Sequence, residues 1–350
     1  MTRFLIVRLG ALGDIVHAIP VAAAIRRSVP AARIDWLVSA KHREILDLVP
    51  VIDRRLVIND RGGAEGGSSF LSAIRELRSA RYDVALDLQG LIKSAILARC
   101  SGAPRVIGFS SSYVRERLAR PFYTEAHDPG RGGIYDPRET RHVVEINLGL
   151  LERIGLTVAR PEFPIDRVES NAARQVAAQT GGRYAIVNPG AAWLNKRWPA
   201  ARFAALAREL RNRHGLASAV VWGPGEQSLA EAVVSSADGA AVLSPKTTVA
   251  DLVALARGSA VMVSGDTGPL HVAAALGVPV VGIYGPTRPS RNGPLAAADV
   301  TVTRDAICAC HHLRQCTRDR MCLEEIEVGE VLDAVERRLI PDVHSVPGRA

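Results

Sequence analysis

The sequence is short of aromatic residues, which make up 5% of its 350 positions, and it holds no apolar run long enough to cross a bilayer. The first shortage, with no basic run interleaved with aromatics, excludes a stacking platform for single-stranded nucleic acid. The second excludes an integral helical membrane protein. No solenoid repeat and no low-complexity tract interrupts the chain. No export signal is expected either. "MTRFLIVRLGALGD" breaks its apolar run at Arg8 and places Asp14 where a small-residue cleavage site belongs. A cytoplasmic location is therefore expected, and disulfides are not the default for the five cysteines. Acidic residues are in deficit, which leaves a formal net charge of +8. Such a balance fits a polyanionic substrate or an anionic membrane surface, beside the plain alternative of solubility charge.

What is present is a strand and helix alternation, twice over. "FLIVRL", "IDWLVS", "RRLVI", "DVALDLQ" and "RVIGF" read as buried strands. Between them "IVHAIPVAAAIRRSVP", "HREILDLV", "FLSAIRELRSARY" and "LIKSAILARCSG" carry helical spacing, and "RGGAEGGSS" reads as a glycine-rich loop. From Pro121 to Arg141 the pattern lapses into loop. "TVARPEFPIDRVES", with two prolines and no period, reads as a linker. A second series opens at "RYAIVNPGA" and continues through "ASAVVWG", "SAVMVSG" and "VPVVGIYG", ending in a helix near "VGEVLDAVERRL". The expected fold is α/β: two Rossmann-like parallel-sheet domains, residues 1–165 and 166–350, facing across a cleft, with the C-terminal helix free to pack back on the first.

Chemistry is expected where strands hand over to helices. "SGDTGPLHVA" places Asp266, Thr267 and Gly268 at such a junction, with His271 in the first turns beyond. Unpaired N–H groups and the helix dipole make this an anion site, most often for phosphate. "NPGAAWLNKRWP" sets Asn188 and Gly190 in a turn and Lys196 just before a helix, where an ammonium can neutralise a leaving diphosphate or simply be solvated. Glu226 in "WGPGEQ" is placed for a ribose hydroxyl or for a helix first turn. The first loop, "RLGALGD", is not a dinucleotide fingerprint, since its spacing is Gly-x-x-Gly. Asp14 closes it, as a helix cap or as a general base.

Taken together, "FLIVRLGALGDIVHAIP", "LDLQGLIKSAILAR", "RVIGF", "NPGA…KRWP" and "SGDTGPLHVAAALGVPVVGIYGPT" resemble the ADP-heptose lipopolysaccharide heptosyltransferases of glycosyltransferase family 9, the first-half phrases most like heptosyltransferase I. The resemblance implies a GT-B fold, a donor bound by the second domain and a lipid acceptor by the first. It implies inverting transfer without a metal or cofactor, from ADP-heptose to a Kdo-lipid A type acceptor at the inner leaflet, with no nucleic acid partner. By position, Asp14 is the expected base and Lys196 the residue that meets the departing ADP. Asn188, Gly190, Glu226, Asp266, Thr267, Gly268 and His271 are the expected donor contacts. Acceptor contacts are expected at Gly13, Gln89, Lys93, Arg105, Arg115, Arg117, Arg120 and Arg141, in a stretch where Arg99, Arg138 and His142 add charge and Glu116 is the only acid between Arg99 and Arg120. Arg suits phosphates and carboxylates because its planar fork bonds them bidentately. Gly10 and Ala11 stand where many relatives carry hydroxyl residues. Other readings on this architecture are a different nucleotide-sugar transferase, a sugar-nucleotide epimerase, or a non-catalytic nucleotide-sugar-binding relative.

Four cysteines, Cys308, Cys310, Cys316 and Cys322, crowd into "CACHHLRQCTRDRMC" beside His311 and His312. The group suggests zinc, but Cys-x-Cys is tighter than structural zinc sites usually use. The expectation is unlinked thiols and no metal, with zinc as the lesser alternative. Cys100, inside a helix, is expected in the core.

Overall fold

The computed structural model describes residues 1–59, 64–130, 132–136, 138–311 and 313–339. They form two compact units that part between Asp166 and Arg167, inside the proline-bearing stretch. Each unit holds one six-stranded, all-parallel sheet.

In the first unit the strands are β1 (Arg3–Val7), β2 (Arg33–Ser39), β3 (Arg54–Ile58), β4 (Val84–Asp87), β5 (Arg105–Phe109) and β6 (Glu125–His127), in the order β3-β2-β1-β4-β5-β6. In the second they are β7 (Tyr184–Asn188), β8 (Ala217–Val220), β9 (Ala241–Leu243), β10 (Val261–Gly265), β11 (Val280–Tyr284) and β12 (Val300–Thr303), in the order β12-β11-β10-β7-β8-β9. Numbered from its own first strand, each sheet has the Rossmann order 3-2-1-4-5-6. The order reverses between β1 and β4 and between β7 and β10. Loops leaving the carboxyl ends of those four strands therefore diverge, and ligands of such sheets bind there.

Helices cover both faces, which is why the strands read as continuous apolar runs. In the second unit Ala185, Val187, Val261, Val263, Val281 and Ile283 face one core with Phe203, Leu206, Leu210 and Val331. Tyr184, Ile186, Met262 and Val280 face the other with Val176, Leu255 and Leu270. The C-terminal helix, Val328–Leu339, buries Val331, Leu332, Ala334 and Val335 against its own unit, on helix Ala200–His214 and β12.

Several boundaries differ from the sequence reading. The helix expected to start at Phe70 runs Ala64–Ala80, so Ala64 to Ser69 are not loop; residues 60–63 lie outside the described set. "IVHAIPVAAAIRRS" is two helices, Leu12–Val16 and Ile19–Ser28. Pro20 has no N–H to return to Val16, so the helix restarts there. Strand β6 lies inside the stretch read as loop, and β9 and β12 were not expected. The core prediction for Cys100 is met only halfway, since it ends its helix half-buried.

Candidate functional site

The second unit concentrates polar side chains at its switch point. β10 ends at Gly265, and Asp266 and Thr267 form the turn into helix Gly268–Ala275. Asp266 is buried and gathers three donors. Lys196 Nζ lies 2.6 Å from Oδ2, Thr287 Oγ1 2.7 Å from the same oxygen, and His271 Nε2 2.9 Å from Oδ1. Burial alone would raise the Asp266 carboxyl, but His271 and Lys196 hold it well below the usual carboxylate range. Lys196 Nζ also sits 4.6 Å from the centre of the Trp193 ring. The structure thus joins three residues singled out separately, and adds Thr287.

Two features fix Lys196 in place. Gly265 has no Cβ because one would lie 2.7 Å from the Lys196 carbonyl oxygen. Trp198 is buried, donates from Nε1 to the Ile326 carbonyl at 2.9 Å, and meets Phe203 edge-on with ring centres 4.9 Å apart. Trp198 is the anchor of the lysine loop, and burying it drives that loop onto the core.

Asn188, at the end of β7, donates from Nδ2 to Ser264 Oγ at 3.0 Å and Thr267 Oγ1 at 3.1 Å. It thereby ties the two diverging loops together. The Thr267 hydroxyl does not cap its helix, so the first N–H groups of that helix are not met by a side-chain cap. Glu226 accepts from Gly223 N at 3.0 Å and lies 3.6 Å from Arg197. A Cβ on Gly190 would stand 2.0 Å from Glu226 Oε2, so Gly190 makes the room that this carboxylate occupies.

In the first unit the β1 loop is held by charge. Arg8 Nη2 lies 2.8 Å and Arg115 Nη2 3.2 Å from Asp14 Oδ2, which also accepts from Ala11 N at 3.2 Å. Arg8 is fixed, with a side chain 4% exposed and a further bond to the Leu88 carbonyl, whereas the Arg115 side chain is 38% exposed. Burial would raise the Asp14 carboxyl; Arg8, then Arg115, hold it far below its ordinary value. Gln89 Oε1 accepts from Leu9 N at 2.7 Å and joins the β1 and β4 loops, while Gly13 is buried in helix Leu12–Val16. Asp87 was not anticipated. Fully buried at the end of β4, it accepts from Gln89 N, Ser94 Oγ and Tyr123 OH at 2.8–2.9 Å, and burial still pushes its carboxyl up.

The predicted basic wall is divided. Arg115 and Arg117 are exposed, and Lys93 and Arg120 half-buried, near the start of helix Ile92–Cys100, whose Ile92 N donates to Glu116. Arg105 is elsewhere. It opens β5, at the amino end of the sheet, and forks onto Glu125 at 2.6 and 2.9 Å and onto the Arg153 carbonyl. Arg141 is committed to Glu139, Tyr113 and the Pro129 and Gly130 carbonyls. Its partner Glu139 is held down to about 2: burial opposes this, and the hydrogen bonds of Arg141 and Tyr113 prevail. Arg138 pairs with Asp136 and His142 caps helix Val143–Gly149. Arg99 is exposed.

Cys308, Cys310 and Cys322 are buried together with Cys316 packed against them. His311 donates from Nε2 to the Asp305 carbonyl at 2.8 Å, and His312 lies outside the described residues. Among the described residues no group of three or more His, Cys, Asp or Glu side chains is placed to hold a metal ion, and no helix is long and apolar enough to cross a membrane.

The chain is similar over most of its length to known proteins. The lipopolysaccharide heptosyltransferase 1 of Pseudomonas aeruginosa is 31% identical over 326 residues, which span 90% of this chain and 87% of that one. The crystal structure of a family 9 glycosyl transferase from Veillonella parvula superposes with a TM-score of 0.80 at 24% identity, covering 97% of each chain. The E. coli heptosyltransferase WaaC with ADP-2-deoxy-2-fluoro heptose superposes with a TM-score of 0.75 at 22% identity, covering 96% of this chain and 99% of that one. These two show the fold, GT-B. The model of glycosyltransferase family 9 (heptosyltransferase) matches residues 70–321, and with the two Rossmann-ordered sheets in place the chain belongs to that family.

Proposed function

We propose that the protein transfers a heptose from ADP-heptose to a Kdo-lipid A type acceptor in lipopolysaccharide biosynthesis. The observation that carries the reading is the buried Lys196–Asp266–His271–Thr287 cluster at the amino end of helix Gly268–Ala275. A departing ADP gains negative charge as the glycosidic bond breaks. An ammonium and a helix start, both held in place before the reaction, stabilise that charge without reorganising. On this reading the second domain, residues 166–350, holds the donor, with Asn188, Gly190, Glu226, Thr267 and Gly268 shaping its pocket. Asp266 orients Lys196 and His271 rather than touching phosphate, which an anion would repel.

The first domain, residues 1–165, holds the acceptor on this reading, and Asp14 takes the proton of the attacking hydroxyl. A carboxylate gripped by two guanidinium groups is a weak base. The two differ, however: Arg8 is buried and Arg115 is half in solvent. Phosphate or carboxylate groups of the acceptor would compete for Arg115 and Arg117, leave Asp14 with Arg8 alone, and raise its basicity as the acceptor arrives. Arg115 and Arg117, with Lys93, Arg120, Gln89 and Gly13 around the same loops, remain the proposed acceptor contacts. Arg105 and Arg141 do not, since their guanidinium groups are committed to other partners. The same exposed cations would draw a cytoplasmic protein to the anionic inner leaflet, where each is worth about 1 kcal/mol.

The test is the mass of a Kdo-lipid A acceptor after incubation with ADP-heptose. A gain of one heptose supports the reading. No gain, together with transfer from a UDP-sugar, replaces it.

A further inference from the structure

The carboxyl end of β4 is organised by one buried carboxylate. Asp87 is wholly shielded from solvent, and both of its oxygens are engaged. Oδ1 accepts from Gln89 N at 2.9 Å and Gly90 N at 3.3 Å, and Oδ2 from Ser94 Oγ at 2.9 Å and Tyr123 OH at 2.8 Å. The first pair folds residues 88–90 into a turn, as an Asp side chain does when it reaches backbone two residues on. The second pair ties that turn to the start of helix Ile92–Cys100 and to the chain beyond Arg120. Tyr123 is itself buried, and its ring fills the space where Gly108, in β5, has no Cβ.

Each residue of the turn grips part of the surroundings of Asp14. The Leu88 carbonyl accepts from Arg8 Nη1. Gln89 Oε1 accepts from Leu9 N at 2.7 Å, in the loop that carries Asp14. The Gly90 carbonyl accepts from Glu116 N at 3.0 Å. Gly90 also lies against the Arg115 backbone: with φ at +70°, a Cβ on it would stand 3.1 Å from Val114 Cα and 3.2 Å from Arg115 N. Glu116 closes the circuit, its Oε2 accepting from Ile92 N at 2.7 Å. Arg8 and Arg115 stand 2.8 and 3.2 Å from the Asp14 carboxylate. Both are thus set against the turn that Asp87 folds, Arg8 through its side chain and Arg115 through its backbone.

We propose that Asp87 is a positioning residue for Asp14: by folding residues 88–90 it sets where Arg8 and Arg115 stand on the Asp14 carboxylate, and so how strong a base that carboxylate is. The proposal rests on the reading of Asp14 as the base of the transfer. Burial raises the Asp14 carboxyl; Arg8, then Arg115, then His17 on its own helix lower it, and Ala11 N adds a hydrogen bond. The imidazole of His42, from residues Ala40–Leu48 that pack on the Asp14 helix, stands beside Gly10 in the same loop. Arg8 faces Asp14, Arg115 and Asp87. Two of these cations, Arg8 and Arg115, rest on the turn. A loosened turn lets both guanidinium groups drift, and the carboxyl then rises toward its ordinary value. The loop that aims Asp14 at an acceptor loses its register at the same time, because Gln89 no longer holds Leu9.

The experiment follows the Asp14 carboxyl carbon by NMR in the full chain with labelled aspartate, the signal being assigned by its loss in Asp14→Asn. In the wild type it should stay ionised to the lowest pH at which the fold holds. In Asp87→Ala it should titrate about one pH unit or more higher. Gly90→Ala presses a methyl onto the Arg115 backbone while leaving Asp87 in place, and should move the titration the same way. Asp87→Asn keeps an oxygen for Gln89 N, and the Ser94 and Tyr123 hydroxyls can turn from donors to acceptors, so it should recover most of the shift. In steady-state kinetics of Asp87→Ala the acid limb of kcat/KM should rise with the titration. Its kcat should fall about 10–10²-fold while the ADP-heptose KM holds. A folded Asp87→Ala protein whose Asp14 titrates as in the wild type overturns the proposal, whatever stability it has lost. If that variant does not fold, an unchanged titration in Gly90→Ala overturns it. A wild type that transfers no heptose overturns the base reading instead; the titration needs no turnover and still decides whether Asp87 sets the Asp14 carboxyl.

Discussion

Lys196 Nζ stands 2.6 Å from Asp266 Oδ2, and the two side chains are 16% and 5% exposed. The lysine is therefore not a solvated cation near a phosphate site, as its position before a helix allowed. It is one arm of a buried network whose centre is a carboxylate. Removing the centre leaves an ammonium and an imidazole without their acceptor, which is costlier than removing an arm.

Asp266→Asn should accordingly destabilise the protein by about 3 kcal/mol or more. It should also change the acid limb of stability. A carboxyl whose folded value is lowered stabilises fully above its unfolded value, about 3.9 for Asp, and the contribution is lost as pH falls through the lower folded value. Wild-type unfolding free energy should drop steeply as pH falls below about 5, and the variant should follow a flatter curve. Urea midpoints across that range measure it; parallel curves would mean Asp266 is not the titrating partner.

Lys196→Ala should lower kcat more than it raises the donor KM, because the charge it meets grows as ADP departs. Steady-state kinetics in ADP-heptose decide it. A raised KM with kcat intact would leave Lys196 a ground-state contact only.

Trp198→Ala should cost about 3–5 kcal/mol, the range for deleting a large buried aromatic side chain. Trp198→Phe should cost less, since it keeps the edge-on contact with Phe203 and loses chiefly the bond to the Ile326 carbonyl. Urea unfolding followed by circular dichroism measures both. Equal losses would place the energy in that hydrogen bond rather than in packing.

How much of this was legible follows from burial. Central strands such as "FLIVRL" and "YAIVN" announce themselves because both faces are covered. The three strands not foreseen, β6, β9 and β12, are all edge strands of three or four residues. β6 and β12 interleave polar residues and carry no apolar run, and β9, though apolar, is only three residues long. In the site, Asp14, Lys196, Asp266 and His271 stood out because charged and titratable residues sit where strands end. Thr287 and Gly265 did not, because a hydroxyl and a missing Cβ gain meaning only from neighbours distant in sequence. Arg105 shows the converse error. Crowding of arginines along the chain says nothing about which end of a strand each one occupies, and Arg105 opens β5 while Arg115 and Arg117 follow its far end.

Gly190→Ala offers a test of the proposed ribose contact. The new methyl would stand 2.0 Å from Glu226 Oε2, the movable tip of a side chain, so the carboxylate should swing away while the fold holds. Thermal unfolding should stay near wild type and ADP affinity should fall severalfold. In a Glu226→Ala background the same substitution should then do little, because the group it displaces is gone. Non-additivity of this kind is what a shared mechanism produces. Additive losses in ADP binding by calorimetry would mean that Gly190 acts on the ligand directly.

Arg115→Gln separates the two cations on Asp14. With only Arg8 left, the carboxyl should rise from its depressed value, since one of the two charges holding it down is gone. The base works deprotonated, so the acid limb of kcat/KM should move to higher pH. The acceptor KM should rise severalfold while the ADP-heptose KM holds, because the same guanidinium is the proposed phosphate contact. Asp14→Asn, by contrast, should lower kcat by about 10²–10⁴ with ADP binding intact. A pH profile in Arg115→Gln that matches wild type would show that Arg115 has already left Asp14 in the free enzyme, and the acceptor would then have nothing to release.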